Sequence, residues 1–188
     1  MELHIILAVY SKNSIDALVF GRSIWGNPAM AAGCGILLPM DLTLAHIGAR
    51  PGGKDTFEGL TRLYLERCSG FARCQAEAFK SEESFFDWVE KRPGRTRPVL
   101  VLLDSRGRLM TSEVFAGWVG ARRDGGTQQI VFAIGPASGW SDEGRAKAGL
   151  LLSLGPMTLA HALARLVLAE QIYRAFTILS GHPYHSGH

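Results

Sequence analysis

The segment 150–188, LLLSLGPMTLAHALARLVLAEQIYRAFTILSGHPYHSGH, constrains the fold more than any other part of the chain. Its opening apolar run, 150–154, fits a buried strand. Gly155-Pro156 then breaks regular structure, because Gly admits unusual backbone angles and Pro lacks an amide hydrogen. Beyond a loop, Leu163, Leu166, Val167, Ile172, Tyr173, Phe176 and Ile178 recur at steps of three and four. Arg165, Glu170, Gln171 and Arg174 lie between them, which is the pattern of an amphipathic helix starting near His161. Ser180-Gly181 closes that helix and Pro183 forbids its continuation. The tail His182-Pro183-Tyr184-His185 gathers groups that exchange protons near neutral pH.

Upstream, strand and helix patterns alternate. Residues 42–47 read as a strand. Asp55 and Glu58 open a helix whose Phe57, Leu60, Leu63 and Tyr64 share one face, ending near Cys68. Residues 72–79 read as a second strand. Ser81 caps a helix with acidic Glu82 and Glu83 in its first turn, and its Phe85, Phe86, Trp88 and Val89 are at core spacing. The uninterrupted run 99–103 suits a strand buried on both faces of a parallel sheet. Residues 112–122 read as helix, 129–134 as strand and 141–147 as a short helix. This is an α/β chain, in which ligands bind at the carboxyl ends of strands, here after Leu103, Ile134 and Leu154.

With 47% hydrophobic and 20% charged residues, the composition is that of one globular domain, with no second core required. Cys34, Cys68 and Cys74 have neither CxxC spacing nor histidine partners at ligand intervals, so no metal site is expected and a reducing cytoplasm suits them. The net charge of +3 fits a polyanionic partner and an ordinary surface equally well. Residues 1–39 hold only Lys12, Arg22, Glu2 and Asp16 as charged groups, and show neither a signal peptide nor a membrane span. We read 1–39 as an N-terminal extension of doubtful significance and 40–188 as the domain. Either translation starts at Met40 or the extension is a genuine added segment such as a dimer arm.

The ordered pattern SLGPMTLAHALARLVLAEQIYRAFTILSGHPYH resembles the C-terminal signature of the RlmH family of SPOUT methyltransferases. Weaker similarity runs back through IVFAIGPASGW and VLVLLDSRG to LTLAHIG at Leu42. The resemblance implies a SPOUT-type α/β knot: a mainly parallel sheet flanked by helices, with a C-terminal trefoil knot, working as a homodimer without membrane or metal. It implies S-adenosyl-L-methionine as cofactor and, as substrate, N3 of a pseudouridine in helix 69 of 23S rRNA within the assembled ribosome. Carried over by match, the cofactor pocket comprises Leu103, Gly135, Pro136, Leu154, Gly155, Pro156, Met157, Thr158, Leu159 and Ala160, and the catalytic set is His161, Arg174, Tyr184 and His185. The acceptor nitrogen must lose a proton as it attacks, so a base or an anion-stabilising cation is wanted there.

Two departures stand out. Pro136 replaces the second glycine of the family's loop, removing an amide donor and fixing φ, and Ala160 stands where the family commonly has Pro. From the residues alone, the plainer readings are favoured: His161 as a helix-start histidine bonded to a loop carbonyl, and Arg174 as the partner of Glu170 one turn earlier. The basic segments 91–97, Arg106 with Arg108, and Arg122-Arg123 are either solvated surface or phosphate contacts. The rival reading is a catalytically impaired knotted dimer that binds RNA or the ribosome. A Rossmann enzyme comes third, since its glycine fingerprint is missing.

Overall fold

In the computed structural model of the protein, the described residues are 40–50, 52 and 55–185, with the side chain of His185 outside that set. Residues 1–39, read above as an extension, lie outside the described residues. In chain order the elements are β1 (Asp41–Ile47), α1 (Thr56–Cys68), β2 (Arg73–Phe79), α2 (Glu82–Glu90), β3 (Val99–Leu109), α3 (Ser112–Asp124), β4 (Gln129–Ile134), α4 (Asp142–Ala146), β5 (Leu150–Ser153) and α5 (His161–Leu179). A single 3-10 turn, Pro183–His185, follows. The strands pair in parallel in the order β2-β1-β4-β3-β5.

Alternation along each strand divides the core in two. Leu42 and Leu44 of β1, Val101 of β3, and Ile130, Phe132 and Ile134 of β4 face one layer, shared with Leu65, Phe115, Val119, Leu168, Ile172 and Phe176 from α1, α3 and α5. The intervening Ala45, Ile47, Leu100, Leu102, Val131 and Ala133 face the other, against Phe85 and Phe86 of α2 and Trp140. Trp140 is 3% exposed, and its indole nitrogen donates to the Leu103 carbonyl at 3.0 Å. Losing a buried indole of this kind costs about 3–5 kcal/mol.

Helix starts follow the cap chemistry. The side chains of Asp55, Thr111 and Ser141 accept amide hydrogen bonds from the first turns of α1, α3 and α4, and Ser81 with Ser84 forms a reciprocal capping box on α2. Glu58 does not complete a box with Asp55; it turns to Arg165 instead.

Three expectations shift. Phe57, Leu60 and Leu63 are 42%, 41% and 39% exposed, while Thr61, Leu65 and Cys68 form the buried stripe of α1. On α5 the buried stripe runs through Ala164, Arg165, Leu168, Ala169, Ile172, Ala175 and Phe176, leaving Leu163, Leu166, Val167 and Tyr173 half-buried. Small residues line the buried side because α5 packs against both α1 and α3. Finally, β3 continues past Leu103: after a break it pairs with β5 a second time, Arg108 beside Leu152 and Leu109 beside Ser153.

That second pairing brings Gly107 so near β5 that a Cβ there would lie 2.7 Å from backbone atoms of Leu151 and Leu152. Backbone cannot yield as a flexible side chain does. Gly107→Ala is therefore expected to destabilise the fold by about 1–3 kcal/mol, lowering Tm by roughly 2–4 °C per kcal/mol. An unchanged melting curve would show that the crossing is looser than these distances require.

Candidate functional site

The sheet order places a switch point between β1 and β4, because β1 connects outward to β2 while β4 connects the other way to β5. Crevices in open parallel sheets form at such points, beyond the carboxyl ends of the strands. His46 lies at the end of β1 and Gly135 directly after β4. Between them comes His161, the first residue of α5, whose Nε2 is 2.9 Å from the Gly135 carbonyl oxygen. A carbonyl only accepts, so Nε2 carries the hydrogen of this contact, and in the neutral ring Nδ1 would be the acceptor nitrogen. The His46 and His161 rings meet edge to face, with centroids 5.8 Å apart.

Beside this point a cavity of about 270 Å³ opens at the ends of β3, β4 and β5. Leu103, Leu154, Gly155, Pro156, Met157, Thr158 and Leu159, all expected in a cofactor pocket, line it together with Asp104, Ser105, Ile134, Leu152, Ser153 and Ala164. Gly155 has φ of 134°, where Gly alone is comfortable, and its amide and carbonyl are both held by the Ser153 hydroxyl. Among the described residues, the amides of Met157, Thr158 and Leu159 have no protein acceptor, so the loop presents free backbone groups above apolar walls. That arrangement suits a flat heteroaromatic ring read by main-chain atoms.

Other expected pocket residues act from behind. Gly135 is outside the cavity lining and packed by Trp140: a Cβ would come within 2.8 Å of the indole, so the close approach of the indole requires glycine here. Pro136 is outside the cavity lining, its carbonyl accepting the Gly139 amide at 2.8 Å. Ala160 also lies outside the lining and precedes α5 without any side-chain cap.

Arg174 and Tyr184 are brought together, but not with His161. Arg174 gives two hydrogen bonds to Glu170 Oε1, at 2.9 and 2.6 Å, and covers the Tyr184 ring with its guanidinium 5.1 Å from the centroid. The Tyr184 hydroxyl donates to the same carboxylate oxygen at 3.2 Å, and its ring meets that of Tyr173 edge to face. The tail therefore packs on its own helix. Burial raises the Tyr184 phenol, reinforced by Tyr64 and Glu170, so it stays protonated at neutral pH. Thirteen residue steps of α5 separate Arg174 from His161, roughly 20 Å of helix. The side chain of His185, the fourth expected member, lies outside the described residues.

Several groups escaped the sequence reading. Arg165 is 5% exposed, donates to Glu58 Oε2 at 3.0 Å, and leaves its Nε buried without a partner. It belongs to the buried stripe of α5, where periodicity assigned it to the polar side. Breaking such a pair costs about 3–5 kcal/mol, because one charge is left buried alone. Asp104, its side chain 4% exposed, accepts from Arg145 at 2.6 Å and from the Arg106 amide at 2.9 Å. Burial would raise its carboxyl, but these donors together hold it below the usual range. His46 is 5% exposed; burial pushes its imidazole down, the nearby Arg165 adds to this, and a hydrogen bond to the Ala49 carbonyl opposes it.

The unfolded chain therefore takes up a proton on His46 more readily than the folded one. Stability contributed by the neutral ring is present above the ordinary histidine range and is lost as pH falls through about 6.5 toward the lower folded value. Between about pH 7.5 and 5.5, Tm should drop further for the parent than for His46→Asn. Equal drops would exclude His46 as the source.

A family model described as "Predicted SPOUT methyltransferase" matches residues 40–185. The ribosomal RNA large subunit methyltransferase H of Koribacter versatilis is 48% identical over 149 residues, covering 79% of this chain and 100% of the relative. That of Rhodospirillum centenum is 44% identical over 153 residues, covering 78% and 99%. That of Allorhizobium ampelinum is 42% identical over 138 residues, covering 73% and 81%. A match through the whole described domain, on a parallel α/β sheet with its cavity at the strand ends, means that the chain belongs to the SPOUT methyltransferase family, in its RlmH branch.

Proposed function

We propose that the protein is an S-adenosyl-L-methionine-dependent methyltransferase of large-subunit ribosomal RNA, acting on N3 of a pseudouridine in helix 69 of the assembled ribosome. The observation that carries this reading is the cavity of residues 103–105 and 152–159 near a histidine anchored through Nε2 on the Gly135 carbonyl. Relatives covered over their full length carry the ribosomal RNA large subunit methyltransferase name. Bound S-adenosyl-L-methionine supplies the electrophilic methyl group. The backbone of Met157, Thr158 and Leu159 would hold its adenine, and Leu103, Ile134 and Leu159 would shield it from water. His161, anchored through Nε2 on Gly135, offers Nδ1 to take the imino proton of the base.

Arg174 and Tyr184 are about a helix length away from that nitrogen within one chain. In our reading they serve the site of a second copy, through an isologous dimer around α5 and the cavity loops. Support comes from apolar groups without cover: Met157 is 79% exposed, Leu109 65% and Val114 46%, and Leu163, Leu166 and Val167 of α5 are half-buried. The trefoil knot belongs to the same proposal, supported by the lap of residues 104–109 across β5. Pro136, the motive for an impaired protein, removes no donor from the cavity, which favours the enzyme.

Ribosomes lacking the modification should gain label from S-adenosyl-L-methionine in the presence of the full chain. His161→Ala should lower the rate about a hundredfold or more, with cofactor affinity unchanged. Tyr184→Phe, which keeps the ring contacts and removes the hydroxyl, separates a role in transfer from packing. Binding of cofactor and ribosome with no transfer by the parent would establish the impaired alternative. Light scattering at micromolar concentration should give a dimer; a monomer would sink the shared site.

A further inference from the structure

The opposite end of the sheet carries a second cleft, of about 470 Å³, at the amino end of β3 and the carboxyl end of α2. Its floor is apolar, from Phe86, Val89, Leu100 and Pro98, and its rim is basic: Arg92, Arg95, Arg97 and Lys147, the last already paired with Glu143 at 3.3 Å, against the single lining carboxylate of Glu90. Several other exposed cations of this chain are paired: Arg62 with Glu58, Arg73 with Asp41, Lys91 with Asp87, Arg106 with Asp142, Arg123 with Asp124. Among the described residues, Arg92, Arg95 and Arg97 have no carboxylate in ion-pair range.

The loop that presents them is clamped. Gln129, at the start of β4, accepts from Arg92 Nε at 2.9 Å and donates to the Pro93 carbonyl at 2.7 Å. Arg92 also reaches Thr43 at 3.1 Å and stacks over Trp88, 4.4 Å from the ring centroid. At Gly94 a Cβ would meet Gln129 at 3.1 Å and the Thr96 carbonyl at 3.2 Å, so the turn is seated tightly on the strand. Arg95 and Arg97 thus project from a fixed base, and their charge is aimed outward at little further cost in backbone entropy.

From these observations we infer that the cleft of Arg92, Arg95, Arg97 and Lys147 is a docking site for the sugar-phosphate backbone of RNA flanking the modified nucleotide. This rests on the methyltransferase reading above. Four residue steps of β3, about 13 Å, separate the cleft from the cavity end of the sheet. A polyanion extending past the target base reaches both ends, whereas a lone nucleotide does not. Guanidinium forks take phosphate oxygens in pairs, and the apolar floor accepts the sugar edge. These contacts add affinity without reading sequence.

The test uses the full chain and ribosomes lacking the modification, by cosedimentation between about 50 and 200 mM salt. Arg95→Ser with Arg97→Ser should weaken binding about tenfold or more and reduce the log–log salt slope by about 1.8, since each phosphate no longer neutralised removes about 0.9. In methyl transfer the same variant should raise KM for ribosomes with kcat and the S-adenosyl-L-methionine titration unchanged. Arg62→Ser, removing one exposed charge on α1, is the control and should change the slope little. An unaltered slope in the double variant, a matching loss in the control, or a parent that fails to sediment with ribosomes would each overturn the proposal. Sedimentation that depends on the cleft, without methyl transfer by the parent, would uphold the docking site and defeat only the enzymatic reading.

Discussion

A strand buried on both faces must send every backbone donor and acceptor sideways into a neighbour, and β4 is where that requirement bears hardest. Its residues Ile130, Val131, Phe132 and Ala133 are all 0% exposed, and it pairs with β1 on one side and β3 on the other. Unpaired amides at such depth cost as much as lost hydrogen bonds, so β1 and β3 have to be aligned along it. Because the pairing is parallel, the alignment sends the chain out of all these strands at one end. The crevice beside β4 follows from the ladder.

Charge is distributed with the same economy. At the carboxyl end two buried charges are tied in pairs: Asp104 with Arg145 and Glu58 with Arg165. His161 is fixed by a neutral carbonyl, which sets its tautomer without adding charge. A mostly apolar cavity, its one lining carboxylate, Asp104, tied to Arg145, favours a cofactor read by shape and backbone. The basic cleft of Arg92, Arg95 and Arg97 lies at the other end of the sheet, away from that cavity.

Much of the architecture was legible. The strand at 150–154, the break at Gly155-Pro156 and the helix from His161 all stand where local periodicity placed them, and the ends of β1, β4 and α1 agree to within a residue or two. Both plain readings left open also describe what is seen: His161 bonded to a loop carbonyl and Arg174 paired with Glu170. The faces of α1 and α5 were less legible. Phe57, Leu60 and Leu63 have the right spacing for a core face yet are exposed, because a helix with two apolar stripes buries the one its neighbours select.

The sequence alone determined the order of elements, the cap residues and the loop that carries the cofactor candidates, since propensity, turn chemistry and periodicity act over a few neighbouring residues. Only the tertiary structure decided which distant residues meet. His46 reaches His161 because β4 enters the sheet beside β1. Arg165 is buried because α5 lies between α1 and α3, and Tyr184 returns to Glu170 because the helix ends where the tail can fold against it. Strand order is a choice among long-range pairings made by burial and backbone satisfaction together, and no local pattern along the chain encodes it.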